Sequence, residues 1–214
     1  MTHWWVAEVV LTASAWWASQ RLMQSRRSAA FLAAVCFALL GLASAIGAVK
    51  FGFQWQTRLD DLHTLASRAF GVAGLYLLTM ALLDWIGWLR LHRKLWLAHL
   101  ADAALVFILG YWLARLSLFQ LVIGLAMTLV AVVIAVALWR RRQNVQASWL
   151  LLAAVVFVVN GLVIGGGTEP LLGLPVRMDV FHLSLAFWAY CMVQVFAWPA
   201  DRMNKNDGIK EGVE

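Results

Sequence analysis

Long runs of apolar residues separated by short polar segments are the dominant pattern along this chain. A helix needs about 20 consecutive apolar residues to cross the hydrocarbon core of a bilayer. Runs of roughly that length recur at residues 4–20, 28–49, 62–83, 95–114, 117–139, 146–166 and 178–198. We therefore predict an all-α, polytopic membrane protein with seven transmembrane helices, one for each run.

The composition agrees with this pattern. Of the 214 residues, 63% are hydrophobic and 13% are charged, whereas about 25% of a soluble domain is charged. The net charge is +6, and the basic residues stand in short segments beside the apolar runs. Lipid headgroups and membrane insertion explain such residues better than nucleic acid does. We expect membrane lipids as partners, no nucleic acid, and a multi-pass position in the inner cell membrane.

The lysines and arginines are unevenly divided between the two sides of the predicted bundle. Because cytoplasmic segments are enriched in these residues, the richer side is expected to be cytoplasmic. That side holds Arg21, Arg26, Arg27, Arg90, Arg93, Lys94, Arg140, Arg141, Arg142, Arg202, Lys205 and Lys210. The N-terminus is then outside and the C-terminus inside. We expect residues 1–200 to form the transmembrane domain and residues 201–214 to form a polar cytoplasmic tail.

Two Asp-x-x-His segments stand at the outer ends of the third and seventh runs. Asp60 and His63 form the first, with Asp61 beside them, and Asp179 and His182 form the second. Residues three apart share one face of a helix. A charge at bilayer depth costs about 2.5–3.5 kcal/mol, so ionisable groups here call for a functional hypothesis.

The first hypothesis is a metal site with His63, His182 and Asp179 as ligands. Catalytic zinc sites commonly have three ligands from His, Asp or Glu plus a water, and zinc makes that water acidic enough to act as a nucleophile. In the alternative interpretation, each aspartate caps the start of its helix and each histidine forms an interfacial hydrogen bond. Zinc is the expected cofactor under the first hypothesis alone.

Arg68 is expected more than one turn inside the third helix, where an unpaired guanidinium is costly. It therefore needs an acidic partner. Asp61 lies seven positions earlier on the same helix face, while Glu8 and Asp179 are candidates from other helices. We predict a structural ion pair between Arg68 and Glu8.

The residues on helices two, three and seven resemble a known superfamily of seven-helix membrane hydrolases, which includes alkaline ceramidases and adiponectin-receptor-like proteins. Its zinc site is built from Ser-x-x-x-His on helix two, an aspartate on helix three and His-x-x-x-His on helix seven. Ser44 matches the serine, Asp60 or Asp61 the aspartate, and His182 the first histidine of helix seven.

The resemblance implies a zinc-dependent hydrolase of a lipid amide or ester, with its site near the outer face and Ser44, Asp60 and Asp61 in catalytic roles. The chain departs from the pattern at two positions. Ala48 and Ala186 stand where the superfamily has histidines, so that two of the three zinc ligands are replaced. Only His63 lies near enough along the chain to substitute for one of them.

Three other functions fit the same residues. A non-enzymatic lipid-binding or small-molecule-binding membrane protein, acting as a sensor or an accessory subunit, fits the missing histidines and the small residues of helix two. The second alternative function is haem binding, with His63 and His182 as the haem ligands. A transporter is the third, and its candidate ionisable residues are Arg68, Asp84, His99 and Asp102.

Overall fold

A computed structural model of the protein describes residues 4–25, 27–89, 95–165, 171 and 176–197. These residues form helices and their connections, which confirms the all-α prediction. The helices are α1 (Trp4–Met23), α2 (Ser28–Gly52), α3 (Gln56–Trp85), α4 (Leu95–Trp112), α5 (Leu116–Arg140), α6 (Asn144–Ile164) and α7 (Arg177–Ala197). The tail predicted at 201–214 lies outside the described residues.

Six of these helices, α2 to α7, are long and apolar enough to cross a membrane. The helix α1 is not among the six, although it corresponds to the first apolar run. Its sequence includes Glu8, Thr12, Ser14, Ser19 and Gln20, which lower its hydropathy. The helix α3 begins six residues before the predicted run, because the polar segment from Gln56 to Asp61 is helical as well.

The helix α1 packs along α2 and α7, and α2 also packs along α3. The helix α5 contacts α3 and α6, and α6 contacts α7, so these helices enclose a common interior. Small residues line the α1–α2 contact, including Ala15 and Ala18 on α1 and Ala33 on α2. Such residues let two helix backbones approach closely. The helix α4 is peripheral, with only Ala103 and Gly110 buried among its described residues.

Two helices contain a π-helical turn. One interrupts α3 at Phe70–Gly74, and the other ends α6 at Asn160–Ile164. π-helical turns are rare and often occur near functional sites. Both of these turns border the same cavity, described below.

The centre of the interior is Trp188 of α7, whose exposed fraction is 1%. Its ring centroid lies 5.3 Å from the rings of Phe37 on α2 and Phe157 on α6, and 6.2 Å from that of Phe70 on α3. The indole therefore joins four helices.

Replacing Trp188 with alanine is expected to destabilise the bundle by about 3–5 kcal/mol, because the lost ring leaves a cavity among those helices. Thermal unfolding of the protein in detergent measures the effect. Trp112→Ala is the matched control, since that indole is 82% exposed and should be tolerated. Equal melting temperatures for the two variants would contradict this description of the core.

Candidate functional site

The Glu8 carboxylate is fully buried where α1, α3 and α7 meet. Its Oε1 atom lies 3.2 Å from Nε2 of His182 and 3.6 Å from Nε2 of His63. One acid and two imidazoles, each from a different helix, thus converge on a single oxygen atom. We call these three residues the Glu8 cluster.

The local sequence explains why two members of the Glu8 cluster face inward. Glu8 lies on the same face of α1 as the buried residues Leu11, Ala15 and Leu22. This spacing of three and four residues marks the buried stripe of a helix. His182 lies in the same way on the buried face of α7, three and four positions before Leu185 and Ala186. The ionisable side chains therefore occupy positions that the packing directs into the bundle.

The polar atoms of the Glu8 cluster are poorly satisfied. Both carboxylate oxygens of Glu8 are buried and have no hydrogen-bond partner among the described residues. The imidazole nitrogens are near the carboxylate, but they do not form aligned hydrogen bonds with it. Buried polar atoms nearly always have a partner, and a buried charge without one is costly. This arrangement therefore favours a further ligand.

Gly47 of α2 packs directly against the Glu8 cluster. A Cβ atom at this position would lie 2.6 Å from Cδ of Glu8 and 2.9 Å from Nε2 of His63, and closer still to Oε1 of Glu8. Side-chain atoms do not approach so closely without displacing each other. The group that approaches the α2 backbone most closely at Gly47 is therefore a carboxylate.

The Glu8 cluster lines a cavity of about 330 Å³. The other polar groups on its wall are Ser44, Thr64, Ser67, Arg68 and Gln120. The apolar part of the wall consists of Leu11, Leu40, Ala43, Phe70, Met178, Phe181 and Leu185. A cavity that combines apolar walls with convergent polar groups is typical of a small-molecule site. We call it the polar cavity.

A second cavity of about 480 Å³ adjoins the polar cavity. The two share Phe70, Gln120, Phe181 and Leu185. The second is more apolar and is bordered by the π-helical turns of α3 and α6. We call it the apolar cavity. A further cavity of about 500 Å³ lies near the other end of α1 and α7 and is lined by none of the predicted site residues.

Residues 4–197 match the family described as "Family of unknown function (DUF6962)". The chain belongs to this family. The matched residues begin where α1 begins and end where α7 ends. No curated protein and no solved structure matches the chain. The DUF6962 match therefore covers the whole bundle and all three members of the Glu8 cluster, and its description carries no activity.

In this DUF6962 member, the acid next to the two imidazoles is Glu8 rather than Asp179, which we predicted as the third ligand. Asp179 is partly buried and does not line the polar cavity. An Asp-x-x-His spacing places two residues on one helix face but does not decide which of them points inward. The sequence did contain one indication that Glu8 belongs to a site, because it is a single acidic residue within an apolar run.

Asp60 and Asp61 are also outside the polar cavity. Asp60 forms an ion pair with Lys50, and its side chain is 65% exposed. Asp61 is exposed as well. Their predicted catalytic roles stay predictions, and their exposed positions near the N-terminal end of α3 favour a surface role.

Replacing Asp60 with asparagine is therefore expected to leave metal content and any activity unchanged. An exposed ion pair contributes little to stability, so the melting temperature should also stay within experimental error. If Asp60→Asn lost metal or activity without unfolding, the surface role would be wrong and Asp60 would belong to the functional site.

The predicted ion pair between Arg68 and Glu8 is not formed. Arg68 lies on the wall of the polar cavity and is exposed, and it has no ion pair with any residue in the described ranges. The Glu8 carboxylate instead lies against the two imidazoles. The prediction failed because it counted charges along the chain, whereas histidines on two other helices reach Glu8 first.

Ser44 is buried and lines the polar cavity. Its Oγ lies 3.0 Å from Oγ1 of Thr12, and 3.1 and 3.2 Å from the carbonyl oxygens of Leu40 and Gly41. The hydroxyl therefore links α2 to α1. A role as hydrogen-bond donor to a substrate stays a prediction.

Two of the ionisable residues assigned to a transporter, His99 and Asp102, form a separate contact. Nδ1 of His99 lies 3.3 Å from the Tyr76 hydroxyl and 3.9 Å from a carboxylate oxygen of Asp102. This contact lies between α3 and the peripheral helix α4, and none of its residues lines the polar cavity.

Among the residues that the structure describes, no group of three or more His, Cys, Asp or Glu side chains is positioned so that it could hold a metal ion. In the Glu8 cluster, two ring nitrogens lie beside one carboxylate oxygen.

Proposed function

We propose that this chain is a zinc-dependent membrane hydrolase of a lipid amide or ester, with Glu8, His63 and His182 as the zinc ligands. The observation that carries the proposal is the convergence of two imidazole nitrogens on one buried carboxylate oxygen, at 3.2 and 3.6 Å. With metal–ligand bonds of about 2.0–2.2 Å, ligands around a tetrahedral zinc lie about 3.3–3.6 Å apart. The spacing to His63 falls within that range, and the spacing to His182 lies just below it.

The chemistry of the donor set supports the same assignment. Two histidines and one glutamate form a ligand set that catalytic zinc sites use, with the fourth position left for water or substrate. A zinc ion bound there would polarise a carbonyl group and acidify a bound water. The missing hydrogen bonds of the Glu8 carboxylate also fit, because a ligand oxygen points at the metal rather than at a neighbouring donor.

The remaining residues of the polar cavity would bind and orient a substrate. Phe70, Phe181 and Leu185 supply an apolar wall that excludes water from the reacting group. Arg68 and Gln120 supply hydrogen-bond donors on the same wall, and Ser44 supplies a hydroxyl beside Glu8. Water exclusion strengthens each of these polar interactions.

The proposal includes seven spans, an outer N-terminus, a cytoplasmic C-terminus and a position in the inner cell membrane. The distribution of lysine and arginine supports this orientation. The partial burial of α1 between α2 and α7 supports its membership in the transmembrane bundle. In this arrangement the Glu8 cluster lies in the outer half of the membrane, as in the hydrolase superfamily that the sequence resembles. Glu8 on α1 would replace the helix-two histidine for which this chain has Ala48.

The proposed experiment is metal analysis of the detergent-purified protein and of His63→Ala and His182→Ala. We expect about one zinc per chain in the wild type and its loss in both variants. His99→Ala is the matched control, because this histidine lies on α4 away from the cluster and should leave the zinc content unchanged. Acyl release from fluorescent lipid amides and esters, with and without a chelator, then tests the reaction. A folded wild type that takes up no added zinc would overturn the proposal.

A second candidate is non-enzymatic binding of a lipid-like ligand. The two adjoining cavities favour it, since together they provide a polar site next to an apolar one. A lipid that co-purifies with metal-free protein and raises its melting temperature would support this candidate over the hydrolase.

A further inference from the structure

Arg68 is the feature of the polar cavity that a zinc site does not use. It follows His63 by five residues on α3 and lies on the cavity wall. Within the described part of the chain it has no ion pair and no hydrogen bond. Its side chain is exposed in the structure, but a guanidinium within a membrane-spanning helix is costly to leave without a partner in the bilayer. The expected partner is therefore a ligand.

The charges around the cavity point to an anionic ligand group. Lys50 is engaged by Asp60 and lies over the ring of Phe51, so it does not compete for the same anion. The Glu8 carboxylate lies among imidazoles rather than against Arg68. Besides the Glu8 cluster, the polar groups that line the cavity with Arg68 are neutral, namely Ser44, Thr64, Ser67 and Gln120. These groups supply further hydrogen-bond donors without cancelling the positive charge.

We propose that Arg68, assisted by Gln120, binds an anionic group of an amphiphilic ligand, either a carboxylate or a phosphate. The planar guanidinium presents a fork of donors that matches both groups. This inference rests on the proposed function in so far as the ligand is the substrate or product of the zinc site. It adds that the lipid carries a negative charge near its reacting end.

The apolar cavity accounts for the rest of the ligand. Phe70, Phe181 and Leu185 continue from the polar cavity into the apolar one, and Gln120 borders both. Gly71, in the π-helical turn of α3, makes this position of Gln120 possible. A Cβ atom at Gly71 would lie 2.7 Å from Nε2 of Gln120. An acyl chain in the apolar cavity would therefore place its polar end beside Gln120 and Arg68.

The test compares a spin-labelled long-chain fatty acid with the primary amide of the same labelled chain. We expect the wild type to bind the acid about tenfold or more tightly than the amide, as a charge-assisted contact predicts. Arg68→Gln should remove this preference, and Arg68→Lys should keep part of it. Arg58→Gln is the control, since Arg58 is exposed on the same helix and does not line the cavity. It should bind as the wild type does.

Further arms separate the sources of the anion. Competition between the labelled acid and an analogue of the same chain that carries a phosphate shows which acidic group binds more tightly. Equal binding of acid and amide by the wild type would overturn the inference, even if Arg68→Gln did not fold. A second result would also overturn the inference. If substitutions of Arg68 left ligand binding unchanged and altered only the difference in melting temperature between anionic and neutral nanodiscs, Arg68 would contact bilayer headgroups.

Zinc content distinguishes this inference from the proposed function. Arg68→Gln should retain the zinc of the wild type while losing the acid preference. If zinc is bound but the acid preference is absent, only the Arg68 inference fails. If the acid preference is present in a protein that binds no zinc, the hydrolase proposal fails and the anion subsite remains.

Discussion

Glu8→Gln should remove the bound zinc from the purified protein while leaving the fold intact. The amide has nearly the same shape as the carboxylate but lacks the negative charge that a zinc ligand supplies. Loss of groups that merely orient zinc ligands weakens metal binding about 10–100-fold, so loss of a direct ligand should cost at least that much. Hydrolysis should fall with the metal.

Zinc titration followed by a competing chelator measures this effect, and thermal unfolding checks the fold. The variant should unfold cooperatively in the absence of metal, because the substituted amide is a neutral group in the same buried site. It should also lose the rise in melting temperature that zinc gives to the wild type, since a ligand stabilises only the state that binds it. Unchanged zinc affinity in Glu8→Gln would remove Glu8 from the ligand set.

Gly47→Ala should disrupt the same site from the neighbouring helix. The added methyl group would overlap Oε1 of Glu8 and crowd Nε2 of His63, so that the carboxylate must move. We expect zinc affinity to fall by about tenfold or more, together with an overpacking cost of about 1–3 kcal/mol. Zinc titration and thermal unfolding of the same preparation measure both effects.

Gly52→Ala is the matched control for Gly47→Ala. It lies on the same helix, and its added methyl would meet Trp5 at an ordinary distance of 3.8 Å. Its zinc affinity should equal that of the wild type. If Gly47→Ala also bound zinc normally, the Glu8 carboxylate would not be required in the position that the structure gives it.

The helices could be predicted because each apolar run is long enough to indicate a helix by itself, without information about the helices that pack against it. The run at 28–49 became α2 with only small changes at its ends. The polar start of α3 was less accessible to prediction, since Gln56–Asp61 lacks the apolar character that marks a transmembrane helix. The π-helical turns were not predicted. In the one within α3, Gly71 leaves room for the side chain of Gln120 from α5, and the local sequence does not reveal such a contact between helices.

The site was only partly predictable for a similar reason. The sequence pointed to His63 and His182, and both rings reach one carboxylate oxygen. It did not point to Glu8 as their partner, because that contact depends on α1 packing against α7, which no local pattern encodes. Asp60 was misleading, since its position near His63 in the sequence conceals its ion pair with Lys50.

The most direct test of the central claim is X-ray absorption at the zinc edge on the purified protein and on Glu8→Gln. The account predicts zinc in the wild type with nitrogen and oxygen ligands at about 2.0–2.2 Å, including the scattering typical of two imidazoles. It also predicts that this signal is lost in the variant. A wild type without zinc, or a zinc environment that is unchanged in Glu8→Gln, would contradict it.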